Sequence, residues 1–189
     1  MYGFYNSISY EQTGDYTVDI SGSVASSIEI LFHQKRSKRS FLTYTLTRTT
    51  GEVFTDKSYE GSDLAFGYGR YLRFRKSSLH SEAALLYKRN TSFTRVGSNV
   101  EPTTENFFAA GIKTGGTFLK GKRFNSDLFF SFFYGTLMKY RAEILIAYKW
   151  SKRLSLSFSA NYQGESYEGN SQDISLSEMK FGPGIRYNF

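Results

Sequence analysis

MKFGPGIRYNF, residues 179–189, sets Met179, Phe181, Ile185, Tyr187 and Phe189 against Lys180, Gly182, Gly184, Arg186 and Asn188. Successive side chains of a strand point to opposite faces, so this period of two predicts one bulky apolar face and one small, polar or charged face. The same alternation recurs upstream. It is cleanest at Arg153–Gly164, where Leu154, Leu156, Phe158, Ala160 and Tyr162 alternate with Ser155, Ser157, Ser159, Asn161 and Gln163.

Length and composition agree with an all-β reading. At 189 residues the chain is read as one domain, residues 1–189. Aromatics make up 18%, Gly numbers 17 and Pro only 2, a balance that favours strands and glycine-bearing turns. The mean hydropathy of −0.42 averages an apolar face against a polar one and so hides membrane strands. The longest nearly uncharged stretch, Leu128–Met138, alternates and is too short for the roughly 20 residues of a spanning helix. With no cysteine, a disulfide framework and thiolate metal sites are excluded. The opening Met1-Tyr2-Gly3-Phe4 carries no basic-then-apolar leader, and the sequence is read as that of a mature chain.

About ten strands are expected by this pattern. They are Tyr2–Glu11, a second reaching Gln34 and starting as early as Tyr16, Ser40–Thr49, Asp63–Arg75, Ser78–Arg89, Glu105–Leu119, Arg123–Tyr134, Lys139–Trp150, Arg153–Gly164 and Ile174–Phe189. Eight is the alternative count. Short basic turns, such as Lys35-Arg36-Ser37-Lys38-Arg39, Arg75-Lys76, Lys120-Gly121-Lys122-Arg123 and Lys152-Arg153, follow the even strands. Longer acidic connections follow most odd ones, at Thr50–Ser62, Asn90–Thr104 and Gly164–Gln172. The net charge of +7 therefore separates by end and does not form one basic face, which argues against nucleic acid.

Residues 179–189 resemble the closing strand of bacterial outer-membrane β-barrels, which end on an aromatic residue; Phe181, Ile185, Tyr187 and Phe189 carry the likeness. That resemblance implies an antiparallel up-and-down transmembrane β-barrel in the outer membrane of a Gram-negative bacterium, with both termini periplasmic. Outer-membrane lipid, lipopolysaccharide and the barrel assembly machinery are then the expected partners. Volume points the same way: roughly ten strands with about four to six bulky residues each would overfill a small lumen, so the apolar set faces lipid. Aromatics at strand ends, among them Phe74, Phe118, Phe124, Tyr134 and Trp150, suit interfacial girdles. Asn6 and Arg70 fall on the outer face by parity; a bulge at Gly69 would swing Arg70 inward, and snorkelling at the rim would keep it outward.

Inside, pairing Phe118 with Phe124 and Tyr134 with Tyr140 gathers Lys113, Asp127 and Lys149, with Arg141 and Glu143 farther along the same strand as Lys149. This cluster reads as a charge-paired plug, narrowed by Phe129, Phe133 and Leu145. A hydrated selectivity ring is the competing view. No catalytic, cofactor or metal residues are assigned. His33 and His80 fall beside the basic turns, and in His80-Ser81-Glu82 parity puts Ser81 on the wrong face for a triad. The expected role is non-enzymatic, through external loops or rim, in surface interaction or as a barrel subunit of an envelope complex, with a protein partner at loops or rim. The alternative is a narrow porin-like pore for ions or small polar solutes.

Overall fold

The computed structural model describes residues 2–14, 18–54, 57–73, 78–96, 99–168 and 172–187, with side chains over 25–51, 59–72, 78–91, 103–167 and 174–187. Among the described residues ten strands follow one another: β1 (Tyr2–Gly14), β2 (Val18–Lys35), β3 (Ser40–Phe54), β4 (Lys57–Arg73), β5 (Ser78–Val96), β6 (Asn99–Lys120), β7 (Phe124–Gly135), β8 (Leu137–Lys149), β9 (Leu154–Glu168) and β10 (Gln172–Tyr187). Each pairs antiparallel with its chain neighbours, and β1 pairs with β10 to close the sheet into a barrel. The closing ladder passes from Tyr2↔Gly184 to Tyr5↔Phe181 across Pro183, a residue with no N–H to donate. Phe189, Phe74, Arg75, Lys76 and Tyr16 lie outside the described residues, as does the side chain of Asn6.

Strand tilt is visible in one hydrogen-bonded row. Phe32, three residues before the end of β2, leads through Tyr44, Phe66, Leu85, Ala110 and Tyr134 to Met138, at the start of β8. The row climbs from one rim to the other because closing a sheet requires a stagger between strands.

The two faces separate as the alternation predicts. Leu156, Phe158 and Tyr162 of β9, and Tyr140, Ile144, Ile146 and Trp150 beside β8, are exposed on the outside. Ser155, Ser157, Ser159, Asn161 and Gln163 are buried inside. This outer apolar belt is about nine to eleven residues tall on each of these two strands, the length a tilted strand needs to cross hydrocarbon.

Strands run well past that belt, and here the sequence reading needs correction. β6 alone has 22 residues, on the order of 70 Å of extended chain. Much of the connections expected at Thr50–Ser62, Asn90–Thr104 and Gly164–Gln172 is strand. Apolar alternation stops where the apolar belt stops, but backbone pairing needs only a partner and β-permissive residues, and the first two of these stretches supply Thr, Val and Phe. The β5–β6 hairpin continues for six pairs, Thr91↔Thr104 to Val96↔Asn99, beyond its last pair with β4, Gly61↔Asn90, and with β7, Ala109↔Gly135.

Arg70 stays outside. Both ladders are regular through Gly67–Arg70, so no bulge turns it inward. Its cross-strand partner Ser40 is the first residue of β3, next to the turn at 36–39, which places Arg70 at the rim, where its head reaches water. Gly67 and Gly69 serve close packing: a Cβ on Gly69 would lie 2.2 Å from Phe41 Cζ, and one on Gly67 would lie 1.9 Å from Glu82 Oε1. Phe41 is 1% exposed and cannot swing aside without opening the lower lumen. Gly69→Ala should therefore lower unfolding stability by about 1–3 kcal/mol, and Phe41→Leu in the same chain should recover part of it. Urea unfolding of the single and double variants measures both.

Candidate functional site

The lumen collects the polar face of the wall strands, and four charged side chains are matched across it. Asp63 on β4 opposes Lys88 on β5, and Lys139 on β8 opposes Glu165 on β9, each as a direct cross-strand pair. The two pairs meet across the barrel. Lys88 Nζ lies 2.7 Å from Glu165 Oε2 and 3.4 Å from Asp63 Oδ1; Lys139 Nζ lies 2.7 Å from Glu165 Oε1 and also pairs with Asp63. Alternating signs around a four-membered ring give every charge two partners of opposite sign. That is what makes ionised groups tolerable when Glu165 is 2% and Lys88 3% exposed.

Farther down, Arg141 Nη1 donates to Glu29 Oε2 of β2 at 2.6 Å and Nη2 to Glu143 Oε2 at 2.8 Å. Ser159 Oγ donates to the other Glu143 oxygen at 2.6 Å. Lys180 pairs with Glu178 at 2.9 Å, and Gln163 Nε2 donates to the same Glu178 carboxylate at 2.6 Å. Lys113 pairs with Glu82 at 3.6 Å, and the Thr43 hydroxyl donates to Glu82.

Apolar residues cap this network at both ends. Above it, Tyr167 packs on Phe107 at 4.3 Å between centroids and its hydroxyl accepts from Asn90 Nδ2; Tyr59, Leu137, Ile174 and Leu176 complete a buried cluster. Below it, Phe41 stacks on His33 at 4.6 Å and meets Tyr71 at 4.7 Å. His80 packs against Phe41 and, at 5.4 Å, against Phe129, which covers Leu145. The Tyr71 hydroxyl and His33 Nε2 are hydrogen-bonded.

The structure divides the cluster expected from sequence. Arg141 and Glu143 are together, but with Glu29; Lys113 turns to Glu82. Asp127 makes no ion pair with Lys113 or Lys149; it accepts a 2.6 Å hydrogen bond from Thr117. Lys149 is exposed at the end of β8. The cause is register. Tyr134 opposes Met138, so the β7–β8 turn centres on Thr136, and a bulge between Thr117 and Leu119 resets the β6–β7 ladder. Asp127 then opposes Leu145 and Thr117, where the expected ladders set Gly115 opposite it and Lys149 diagonal to it.

Asp63 and Glu165 are the further correction. The sequence reading set Glu165 in the connection Gly164–Gln172 and Asp63 at the mouth of another, at the start of Asp63–Arg75, and the structure draws both into the ring. Parity carries a signal for them: Lys88, Lys139 and Glu165 fall on the side opposite the outer apolar set of their strands. The expected closing-strand residues Phe181, Ile185 and Tyr187 point outward and are exposed.

Glu165→Ala leaves the buried Lys88 and Lys139 sharing one carboxylate, and should cost about 3–5 kcal/mol. Asp127→Ala removes one charged hydrogen bond and should cost about 1.5–3 kcal/mol. Urea unfolding should rank them in that order; equal, small losses would describe a lumen hydrated enough to screen its charges.

No protein-family model and no curated protein matches the chain. Solved structures do, and those found are bacterial outer-membrane β-barrels. The outer-membrane protease OmpT of Escherichia coli is 8% identical, with a TM-score of 0.61 over 100% of this chain and 96% of that one. The translocator domain of autotransporter NalP from Neisseria meningitidis is 10% identical, with a TM-score of 0.45 over 100% of this chain and 88% of that one. Neisserial surface protein A is 10% identical, with a TM-score of 0.41 over 100% and 96%. At 8% identity the OmpT likeness is one of fold: this chain has the closed antiparallel architecture of the outer-membrane barrels.

Proposed function

We propose that this chain is an integral barrel of a bacterial outer membrane, with both termini periplasmic and a lumen that serves as a solid core. It acts without catalysis at its outer rim, in surface interaction or as the barrel subunit of an envelope complex. The observation that carries this reading is the Asp63–Lys88–Lys139–Glu165 ring, closed above by Tyr59, Phe107 and Tyr167. A conducting path needs water and mobile charge, whereas these ions are spent on one another. The apolar outer belt supports insertion into lipid, with lipopolysaccharide around the outer rim and the barrel assembly machinery as the route in.

The projecting β5–β6 hairpin supports a role in contact with a protein partner, since a ribbon raised above the rim is presented to whatever approaches the surface. OmpT is a protease; among the described residues the two histidines of this chain are engaged in packing. His33 and His80 belong to the lower aromatic cap, and Ser81 faces outward, away from Glu82.

Two measurements test the proposal together. A spin label at Phe158 should be accessible to oxygen and shielded from water-borne reagents, while one at Ser157 should be shielded from both. Purified protein in planar bilayers should give no reproducible open steps. Stable steps whose ion selectivity changes with Glu165→Gln would overturn the sealed lumen and assign a narrow pore in its place.

A further inference from the structure

The rim bearing the β6–β7 and β8–β9 turns carries a patch that neither the fold nor the sealed lumen requires. Lys120 at the end of β6 is followed by Lys122 and Arg123 in one turn, and Lys149 at the end of β8 by Lys152 and Arg153 in the next; all six are exposed. Among the described residues none of the six makes an ion pair, and the nearest acid in sequence, Asp127, is buried and bonded to Thr117. Clustering six like charges costs repulsion, which is relieved when a polyanionic surface lies against them.

The turns are fixed to one another. Lys149 N donates to Arg123 O at 2.7 Å. In the second turn Ser151 Oγ accepts from the N–H groups of Arg153 and Leu154 at 3.2 and 3.0 Å. Arg123 Nη1 donates to the Tyr148 hydroxyl at 3.3 Å, which lays its side chain along the outer wall. Tyr148 in turn packs on Phe124 at 4.9 Å and on Trp150 at 6.4 Å. Trp150 is 69% exposed, and Phe118 and Leu119 are exposed on β6, two strands away across β7. The cations thus stand at the edge of an uncovered apolar belt.

We infer that these two turns form a binding site for the anionic headgroup of a glycerophospholipid in the periplasmic leaflet, with phosphate between the basic side chains and acyl chains against Trp150, Phe124 and Phe118. The apolar half of the patch is what selects this occupant. An acidic wall polysaccharide would meet the charges but leave that surface unused, whereas a phospholipid matches both halves in their order along the wall. The inference rests on the membrane reading proposed above.

Trp150 is the single tryptophan of the chain, and it reports on the site directly. Full-length protein is refolded into phosphatidylcholine vesicles containing, at one fixed mole fraction, either brominated phosphatidylglycerol or brominated phosphatidylcholine, and tryptophan quenching is recorded. Quenching should correspond to a local enrichment of phosphatidylglycerol of at least about threefold, diminishing with added salt. The combined variant Lys122→Gln, Arg123→Gln, Lys152→Gln should lose that preference while still inserting. Equal quenching by the two lipids would overturn the lipid site and leave the barrel in the membrane. Equal quenching together with cosedimentation on peptidoglycan sacculi that the same variant loses would assign the patch to the cell wall. No quenching by either lipid would overturn the membrane reading itself.

Discussion

A sheet left open would present two unpaired edges of backbone N–H and C=O groups, so its first and last strands must find one another. The β1–β10 ladder meets that constraint, running from Tyr2↔Gly184 to Gly14↔Gln172 and tolerating Pro183 by skipping the positions around it. Closure then forces stagger, and stagger fixes which inner side chains meet across the lumen. The tilt that carries one row from Phe32 to Met138 is the same tilt that brings Asp63 of β4 onto Lys139 of β8.

With so few strands the enclosed space is only wide enough for side chains to fill, and this chain fills it with ions between two apolar caps. Buried ion pairs contribute little net stability compared with apolar packing. Their consequence here is specificity of assembly: a register slip of two residues on any wall would keep every side chain on its own face yet leave Lys88, Lys139 or Glu165 without a partner. The glycines at Gly67 and Gly69 belong to the same arrangement, because they let Glu82 and Phe41 lie flat against the opposite strand.

The outside and the inside make different demands on the sequence. The outer belt carries an apolar residue at nearly every second position over about nine to eleven residues of β8 and β9, the span that a tilted strand needs to cross hydrocarbon. The lumen asks only that each charge meet its opposite. Above the belt neither demand applies, and the β5–β6 hairpin continues as a paired ladder from Thr91↔Thr104 to Val96↔Asn99.

The outer face was accordingly readable residue by residue. Leu156, Phe158 and Tyr162 alternate with small polar residues, and a period of two has one structural meaning whatever the neighbours do. The basic turns and the inward parity of Arg141, Glu143 and Asp127 were equally legible. What the chain by itself did not decide was partnership. The interior contacts link strands far apart in sequence, such as Glu29 with Arg141, and they depend on turns whose register a single bulge at Thr117–Leu119 resets. Asp63 and Glu165 look like solvated connection residues until closure of the barrel brings Lys88 and Lys139 to them. Alternation is a local property of the chain and so was determined by sequence; charge pairing across a lumen is a property of the closed wall, and only the tertiary structure sets it.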